Sequence, residues 1–193
     1  MVDACQIPSD ILENVNDKQL AEICFNYPLF HDYTSVNDQR KGISRMIEMF
    51  NGLKELSKRK DGAQELVYIY ERYPVLSEIP KEDSKDYFMP IKLPFLELLQ
   101  SDDNFIKQLD DQALTSLGKI VLDKYERKLE NSHIYSLHNI SKTFLLGAVI
   151  LLNQNIKSLS PEQKAIVKRY IDNCSNHEPA LFTEISKLLS ELL

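Results

Sequence analysis

The chain has 193 residues, a formal net charge of −6 and 43% hydrophobic residues. A chain of this length can bury about 70% of its unfolded surface without disulfides or metals, which excludes disordered and disulfide-scaffold classes. Five glycines and no tryptophan argue against collagen-like and propeller proteins, and the negative charge argues against nucleic-acid binding.

Helices are predicted throughout the N-terminal half of the chain. Leucine, a strong helix former, far outnumbers valine and threonine. Ser9, Asp17, Ser35 and Asp61 each precede apolar positions spaced three and four apart, the pattern of capped amphipathic helices. The longest of these helices is predicted over residues 36–58.

A proline-rich stretch, residues 74–94, separates the N-terminal half from the C-terminal half. Proline lacks a backbone donor and disfavours helix in the residue before it, so this stretch is the longest predicted loop. The next helix is predicted to start near Pro94. We expect a single domain over residues 1–193, and a subdivision into 1–74 and 95–193 would fall at this loop.

Three further helices are predicted after the N-caps Asp110, Ser136 and Ser160. The second of them contains the apolar run Thr143–Leu152, which is too short for a membrane span of about 20 residues and therefore predicts a core helix. A last helix is predicted after Pro179. The helix after Asp110 carries an inward stripe comprising Leu114, Leu117, Val121, Tyr125 and Lys128.

The predicted fold class is all-α, with about eight helices and no strand. Short connections between neighbouring helices favour antiparallel hairpins. No internal repeat at a fixed period is visible, so an irregular α-α bundle and a short HEAT- or armadillo-like superhelix both stay open.

No pattern for acyl, phosphoryl or hydride chemistry is present, because the nucleophile elbow, the P-loop and the dinucleotide glycine pattern are all missing. We therefore assign no catalytic residue, no cofactor-binding residue and no metal ligand. Cys24 and His31 are the nearest approach to a thiol–imidazole pair, and a buried cysteine with a surface histidine is the expected interpretation.

The three cysteines, Cys5, Cys24 and Cys174, are odd in number and form no CxxC pair, so buried free thiols are expected. A single bridge from Cys174 to either of the others stays open for an exported protein.

Acidic residues cluster around the start of the C-terminal half, without the glycine of a calcium loop. Capping by Asp110 and solvation of the other carboxylates are the expected explanation. This acidic patch comprises Glu97, Asp102, Asp103, Asp110 and Asp111.

Residues 36–60 form a basic segment. Seven basic and three acidic residues give it a local sum of +4, so the remaining chain sums to −10. Docking on an acidic protein partner and a solvated helix face are both compatible with this pattern. The candidate partner-binding residues of the basic segment are Arg40, Lys41, Arg45, Lys58 and Arg59.

Tyr27 and Tyr33 are two further candidate partner-binding residues, in the aromatic segment 25–33. Tyrosine is favoured in interfaces because its ring buries area while its hydroxyl stays hydrated. A hydrophobic plug that links two helices is the alternative explanation, and it is the commoner one.

The segment 17–70 resembles a set of uncharacterised, mostly helical and typically exported proteins of gut Bacteroidetes. The resemblance implies an all-helical fold and export, and it brings no known activity and no catalytic residues. The chain as written begins without a signal peptide, which predicts a cytoplasmic protein, whereas a removed leader would predict the periplasm or the cell surface. The pattern comprises LAEICFNYPLF from Leu20, Val36-Asn37, FNGL from Phe50, Glu55-Leu56 and KRKD from Lys58.

We therefore expect a non-enzymatic helical interaction module, at the bacterial envelope or surface if the protein is exported. A protein partner is expected, with no cofactor, no nucleic acid and no transmembrane segment. The alternative is a small-molecule binder or enzyme whose site is assembled from residues distant in sequence. A regulatory or immunity-type protein that binds one partner through the basic segment is a third hypothesis, and the sequence leaves the oligomeric state open.

Overall fold

The computed structural model describes residues 5–35, 38–75, 89–154, 160–162, 164–165 and 168. Between residues 5 and 154 the described ranges contain nine α-helices and no strand, which confirms the all-α fold class. A 3-10 helix, Phe30–Ser35, precedes α3. The helices are α1 Ser9–Asn14, α2 Asp17–Phe25, α3 Gln39–Met49, α4 Asn51–Leu56, α5 Gly62–Arg72, α6 Met89–Gln100, α7 Asp103–Ile106, α8 Asp111–Glu130 and α9 Leu137–Asn153.

Two predicted N-caps in the C-terminal half are confirmed. The side chains of Asp110 and Ser136 each accept a hydrogen bond from the backbone N–H three residues further on. Asp61 occupies the N-cap position of α5 without a side-chain hydrogen bond. Pro8 is the N-cap of α1, so Ser9 is its first helical residue.

Three predicted caps in the N-terminal half are misplaced, Ser9 and Asp17 by one residue and Ser35 by three. Asn16, rather than Asp17, caps α2 in a reciprocal capping box with Gln19. Asp38, rather than Ser35, caps α3 by accepting from the backbone N–H of residue 41.

The helix predicted over residues 36–58 is two helices with a sharp break between them. Phe50 has extended backbone angles, φ −96° and ψ 115°, and separates α3 from α4. The side chain of Gln6 bonds to both sides of the break, accepting from the Asn51 N–H at 2.8 Å and donating to the Met49 carbonyl at 3.1 Å. We call residues 49–52 the elbow.

Helix α6 begins at Met89, so the prediction that it starts near Pro94 is wrong. Pro94 lies inside the helix, where it cannot donate to the carbonyl of residue 90. Residues 95–99 are all buried, and this packing maintains the helix across the missing hydrogen bond. The remainder of the predicted loop, 76–88, lies outside the described residues.

The predicted helix after Ser160 is helical at each of its described positions, which are 161–162, 164–165 and 168. The Lys164 N–H donates to the Ser160 carbonyl at 2.9 Å, closing its first turn. The helix predicted after Pro179 lies outside the described residues, as does Cys174.

The four helices α5, α6, α8 and α9 meet around a common centre. Helix α9 packs against α8 and α6, and α5 packs against α2, α6 and α8. The run Thr143–Leu152 is buried from Thr143 to Ile150 except at Gly147, with Leu145 and Leu146 fully buried, whereas Leu152 at its end is 41% exposed. In the part of the chain that the structure describes, no helix combines the length and the apolar character needed to cross a membrane.

Gly62 and Gly118 provide a matched test of this packing. A Cβ atom at position 62 would lie 2.1 Å from the Leu56 carbonyl oxygen, whereas at position 118 its nearest neighbour is Ile150 at 3.6 Å. We expect Gly62→Ala to lower the free energy of unfolding by about 1–3 kcal/mol, because the backbone must shift. Gly118→Ala should raise it by about 0.5–1 kcal/mol, because alanine loses less backbone entropy on folding. Urea unfolding of both variants checks the pair, and shifts of the same sign would contradict it.

Candidate functional site

A cluster of polar side chains lies in the centre of the four-helix core. It consists of Tyr70 on α5, Glu97 on α6, Lys128 on α8 and Thr143 on α9. We call these four residues the polar cluster. Each is fully buried, and the Lys128 and Glu97 side chains are 1% and 0% exposed. The cluster therefore joins one residue from each of four helices out of contact with solvent.

The ion pair between Lys128 and Glu97 is the centre of the polar cluster. The Lys128 Nζ donates to both carboxylate oxygens of Glu97, at 2.9 and 3.2 Å, and to the Thr143 hydroxyl at 2.6 Å. The Thr143 and Tyr70 hydroxyls donate to the Glu97 Oε1 at 2.8 and 3.0 Å. Every member thus finds its hydrogen-bond partners among the other three, which a buried ion pair requires to be tolerated.

Burial shifts the titration of the groups in and around the cluster. It lowers the pKa of Lys128, and the negative charge of Glu97 opposes that shift. Burial, reinforced by Glu97, raises the pKa of Tyr70 and of nearby Tyr33. Lys124, one turn before Lys128, donates to the Tyr73 carbonyl at 2.5 Å, and burial lowers its pKa as well.

The sequence predicts the helical stripe that contains Lys128, and it predicts neither the burial of Glu97 nor the ion pair between the two. Lys128 belongs to the apolar stripe of α8, so its inward position is confirmed. The expectation that Glu97 is a solvated member of the acidic patch is wrong, because Glu97 faces the core from α6. A lone carboxylate in a helix with phenylalanine and leucine on every side was the available signal. Asp110 is the cap that the sequence predicts.

The basic segment presents part of its charge to solvent. Lys41 has an 85% exposed side chain, paired at 3.3 Å with Asp38, and Arg45 and Lys58 are exposed. Arg40 is half-buried. Lys54 and Lys60 of the same segment are exposed as well.

Arg59 has a different role from the other basic candidates. Its side chain is 16% exposed and pairs with Asp17 and Glu55. Its guanidinium also donates to the carbonyls of Leu12 and Val15, at 2.7 and 2.6 Å. Arg59 therefore holds the end of α1 against α4.

Tyr27 and Tyr33 lie in the core, with 4% and 2% of their surface exposed. Tyr27 stacks on Phe50 at a ring-centroid distance of 3.9 Å, and the Tyr33 hydroxyl donates to the Ile91 carbonyl at 3.3 Å. Both rings therefore fit the alternative explanation of the aromatic segment, a hydrophobic plug that links two helices.

Cys24 and His31 behave as the sequence predicts. Cys24 is a buried free thiol, and burial raises its pKa far above that of an ordinary cysteine, which disfavours the thiolate. The His31 side chain is 44% exposed. Among the described residues, no group of three or more His, Cys, Asp or Glu side chains is placed to hold a metal ion.

Comparisons with known proteins add no identity to these observations. A scan against protein-family models gave no match, and searches of curated proteins and of solved structures gave no significant similarity. The resemblance of residues 17–70 to exported Bacteroidetes proteins therefore stays a prediction.

A double-mutant cycle tests the coupling of the ion pair. Lys128→Met leaves the Glu97 carboxylate buried without its counter-ion. Glu97→Gln likewise leaves the Lys128 ammonium buried without its counter-ion. Each single change should cost about 3–5 kcal/mol of unfolding free energy. The double variant should be more stable than either single variant, because the new amide still accepts from Tyr70 and Thr143 and no charge is left. Urea unfolding measures all four proteins, and additive effects would contradict the coupling.

The buried tyrosines predict loss of stability at high pH. Because the pKa values of Tyr33 and Tyr70 are raised above the ordinary 10.0, the unfolded chain loses these protons first. The free energy of unfolding should then fall above pH 10, by about 1.4 kcal/mol per tyrosine for each pH unit. The pKa values of Lys124 and Lys128 are lowered, so these two residues make the free energy of unfolding rise with pH. This rise fades above the ordinary lysine pKa of 10.5, where the unfolded chain also loses these protons.

Cys24 and Tyr27, whose pKa values burial also raises, lower the stability over the same range, so the contribution of Tyr33 is obtained by comparing two proteins. Urea unfolding of the wild type and of a Tyr33 variant between pH 10.5 and 11.5 makes this comparison. Tyr33→Phe removes one titrating group and should make the fall in stability shallower. An identical pH dependence in Tyr33→Phe and the wild type would contradict the assignment.

Proposed function

We propose that the protein is a non-enzymatic helical interaction module that binds an acidic protein partner through the basic segment, residues 36–60. The observation that carries this proposal is the exposure of Lys41, Arg45 and Lys58 on a segment that sums to +4 in a chain whose remainder sums to −10. Separated charge of this kind attracts a complementary surface and repels a like one.

Two of the cations are arranged to act together. Lys41 and Arg45 are four residues apart on α3, so their side chains project from the same side of the helix. The apolar residues Ile43, Met46 and Ile47 hold the opposite side of α3 in the core. A partner can therefore contact the charged face without disturbing the fold.

The alternative function, a small-molecule binder or enzyme with a site assembled from distant residues, has one observation in its favour. The polar cluster unites residues from four helices, and the buried Gln100 Oε1 on α6 has no hydrogen-bond partner among the described residues. The cluster itself is closed, since Lys128 and Glu97 are fully engaged with their neighbours. We favour the interaction module because its charged groups are accessible.

Charge reversal tests the interaction module. A partner captured from an extract of the native organism is purified, and its association with the protein is measured at several salt concentrations. Lys41→Glu with Arg45→Glu removes the net charge of the basic segment. We expect the association rate at low salt to fall at least about tenfold and to depend less on salt, because electrostatic steering is lost.

The matched control reverses two exposed lysines elsewhere, Lys18→Glu with Lys119→Glu, which changes the net charge by the same amount. Both double variants should melt close to the wild type, because exposed substitutions usually change stability by about 0.5 kcal/mol or less. If the two double variants slow association equally, total charge is responsible and the proposed surface is wrong.

A further inference from the structure

The N-terminal strap, residues 5–15, is attached to the protein by polar contacts and by the partly buried side chains of Cys5, Leu12 and Val15, which pack against the core. Among its residues only Ile7 is buried, and α1 buries no side chain. Arg59 holds the far end of the strap through backbone carbonyls, as described above. The near end rests on the elbow between α3 and α4.

At the elbow, two side-chain amides pair with backbone in the manner of adjacent strands. Asn51 accepts from the Ile7 N–H at 2.9 Å and donates to the Ile7 carbonyl at 2.8 Å. Gln6 makes the matching pair of bonds to the backbone of the elbow. The Asn51 amide contacts only backbone atoms of the strap, so it would accept an extended peptide of many sequences. The Gln6 bonds come from a strap side chain, so they require an amide side chain at the same place in a docked peptide.

Gly52 determines which strap side chain can pack against the elbow. The Ile7 Cδ1 atom would lie 2.6 Å from a Cβ at position 52, and the Phe50 ring would lie 2.7 Å from it. A side chain at position 52 would fill this space, so glycine is needed to leave it open. We call the space above Gly52, beside the Phe50 ring, the seat. Ile7 fills this seat and is 8% exposed there.

Charge adds to this arrangement. The strap carries Asp10 and Glu13 and no basic residue. The elbow lies within the basic segment, between Arg45 and Lys54, and the exposed Glu48 adjoins it. Met49, beside the seat, is 43% exposed and contacts Arg45 through its sulfur at 3.3 Å. An acidic, aliphatic peptide thus matches both the seat and its surroundings.

We propose that the elbow is a peptide-docking site that the protein's own N-terminal strap occupies and thereby blocks. The partner it fits is an extended protein segment in which glutamine precedes an aliphatic residue and acidic residues follow, and this segment displaces the strap. This proposal rests on the basic segment as the binding region and names the chemistry of its partner.

Peptide binding to the full-length chain tests the proposal. The probe is a fluorescein-labelled peptide of residues 6–15, titrated by anisotropy. Wild-type protein should bind it weakly, because the strap fills the seat. Ile7→Asp in the protein should release the strap and increase the affinity at least tenfold. The gain should vanish when Asn51→Ala is added, and a probe carrying Ile7→Asp should bind neither protein.

Equal binding of the probe to wild type and Ile7→Asp, or binding that ignores Asn51, would overturn the proposal. Concentration-dependent wild-type dimers that Ile7→Asp abolishes would also overturn it, since they assign the seat to a second copy of the chain.

Hydrogen exchange on the wild type covers the case in which Ile7→Asp fails to fold. The Ile7 and Asn51 amides should exchange at least 100-fold faster than the core amide of Leu117, because a displaceable strap opens locally. Protection equal to that of Leu117 would overturn the proposal.

The proposed function and this inference fail separately. If Lys41→Glu with Arg45→Glu leaves partner association unchanged while the probe still binds in an Asn51-dependent way, the basic face is wrong and the elbow stands. Slower partner association without probe binding gives the reverse result.

Discussion

The ion pair between Glu97 and Lys128 is the interaction around which α5, α6, α8 and α9 are arranged. A charge withdrawn from water is tolerated only when its counter-ion and its hydrogen bonds are in position. Tyr70 and Thr143 supply the remaining bonds. These hydrogen bonds are directional, so each of the four helices must have one particular rotation about its own axis. Apolar packing alone would specify that rotation less strictly.

Charge has two separate roles in the protein. In the core, Lys128 and Glu97 are saturated by fixed partners and leave little for a ligand to bind. At the periphery, the cations of α3 and α4 are exposed, and the strap beside them contributes a single buried side chain. The region that holds the fold and the region suited to recognition are thus different, so binding at the elbow would leave the polar cluster undisturbed.

Helices and caps that depend on residues close in sequence are predicted correctly. Features that depend on contacts between distant residues are not predicted. The stripe of α8 and its cap Asp110 depend on neighbours in sequence, and both are confirmed. The break at Phe50 is missed because the apolar spacing continues through it, and Gln6, more than forty residues away, stabilises it. Glu97 is missed for a related reason: its apolar neighbours in the sequence indicate burial, but the partner that makes burial tolerable lies on another helix.

The polar cluster also constrains the order in which the protein can assemble. Its hydrogen bonds join residues separated by 15 to 46 positions, and they draw on both sides of the proline-rich stretch. An intermediate that docked three of the four helices would dehydrate a charge before all of its partners had arrived, at a cost that grows with burial. We therefore expect partly assembled states to keep a hydrated centre and to lose that water when the last helix docks. Expulsion of that water makes the closing step cooperative and ties the folding of α5 to that of α9.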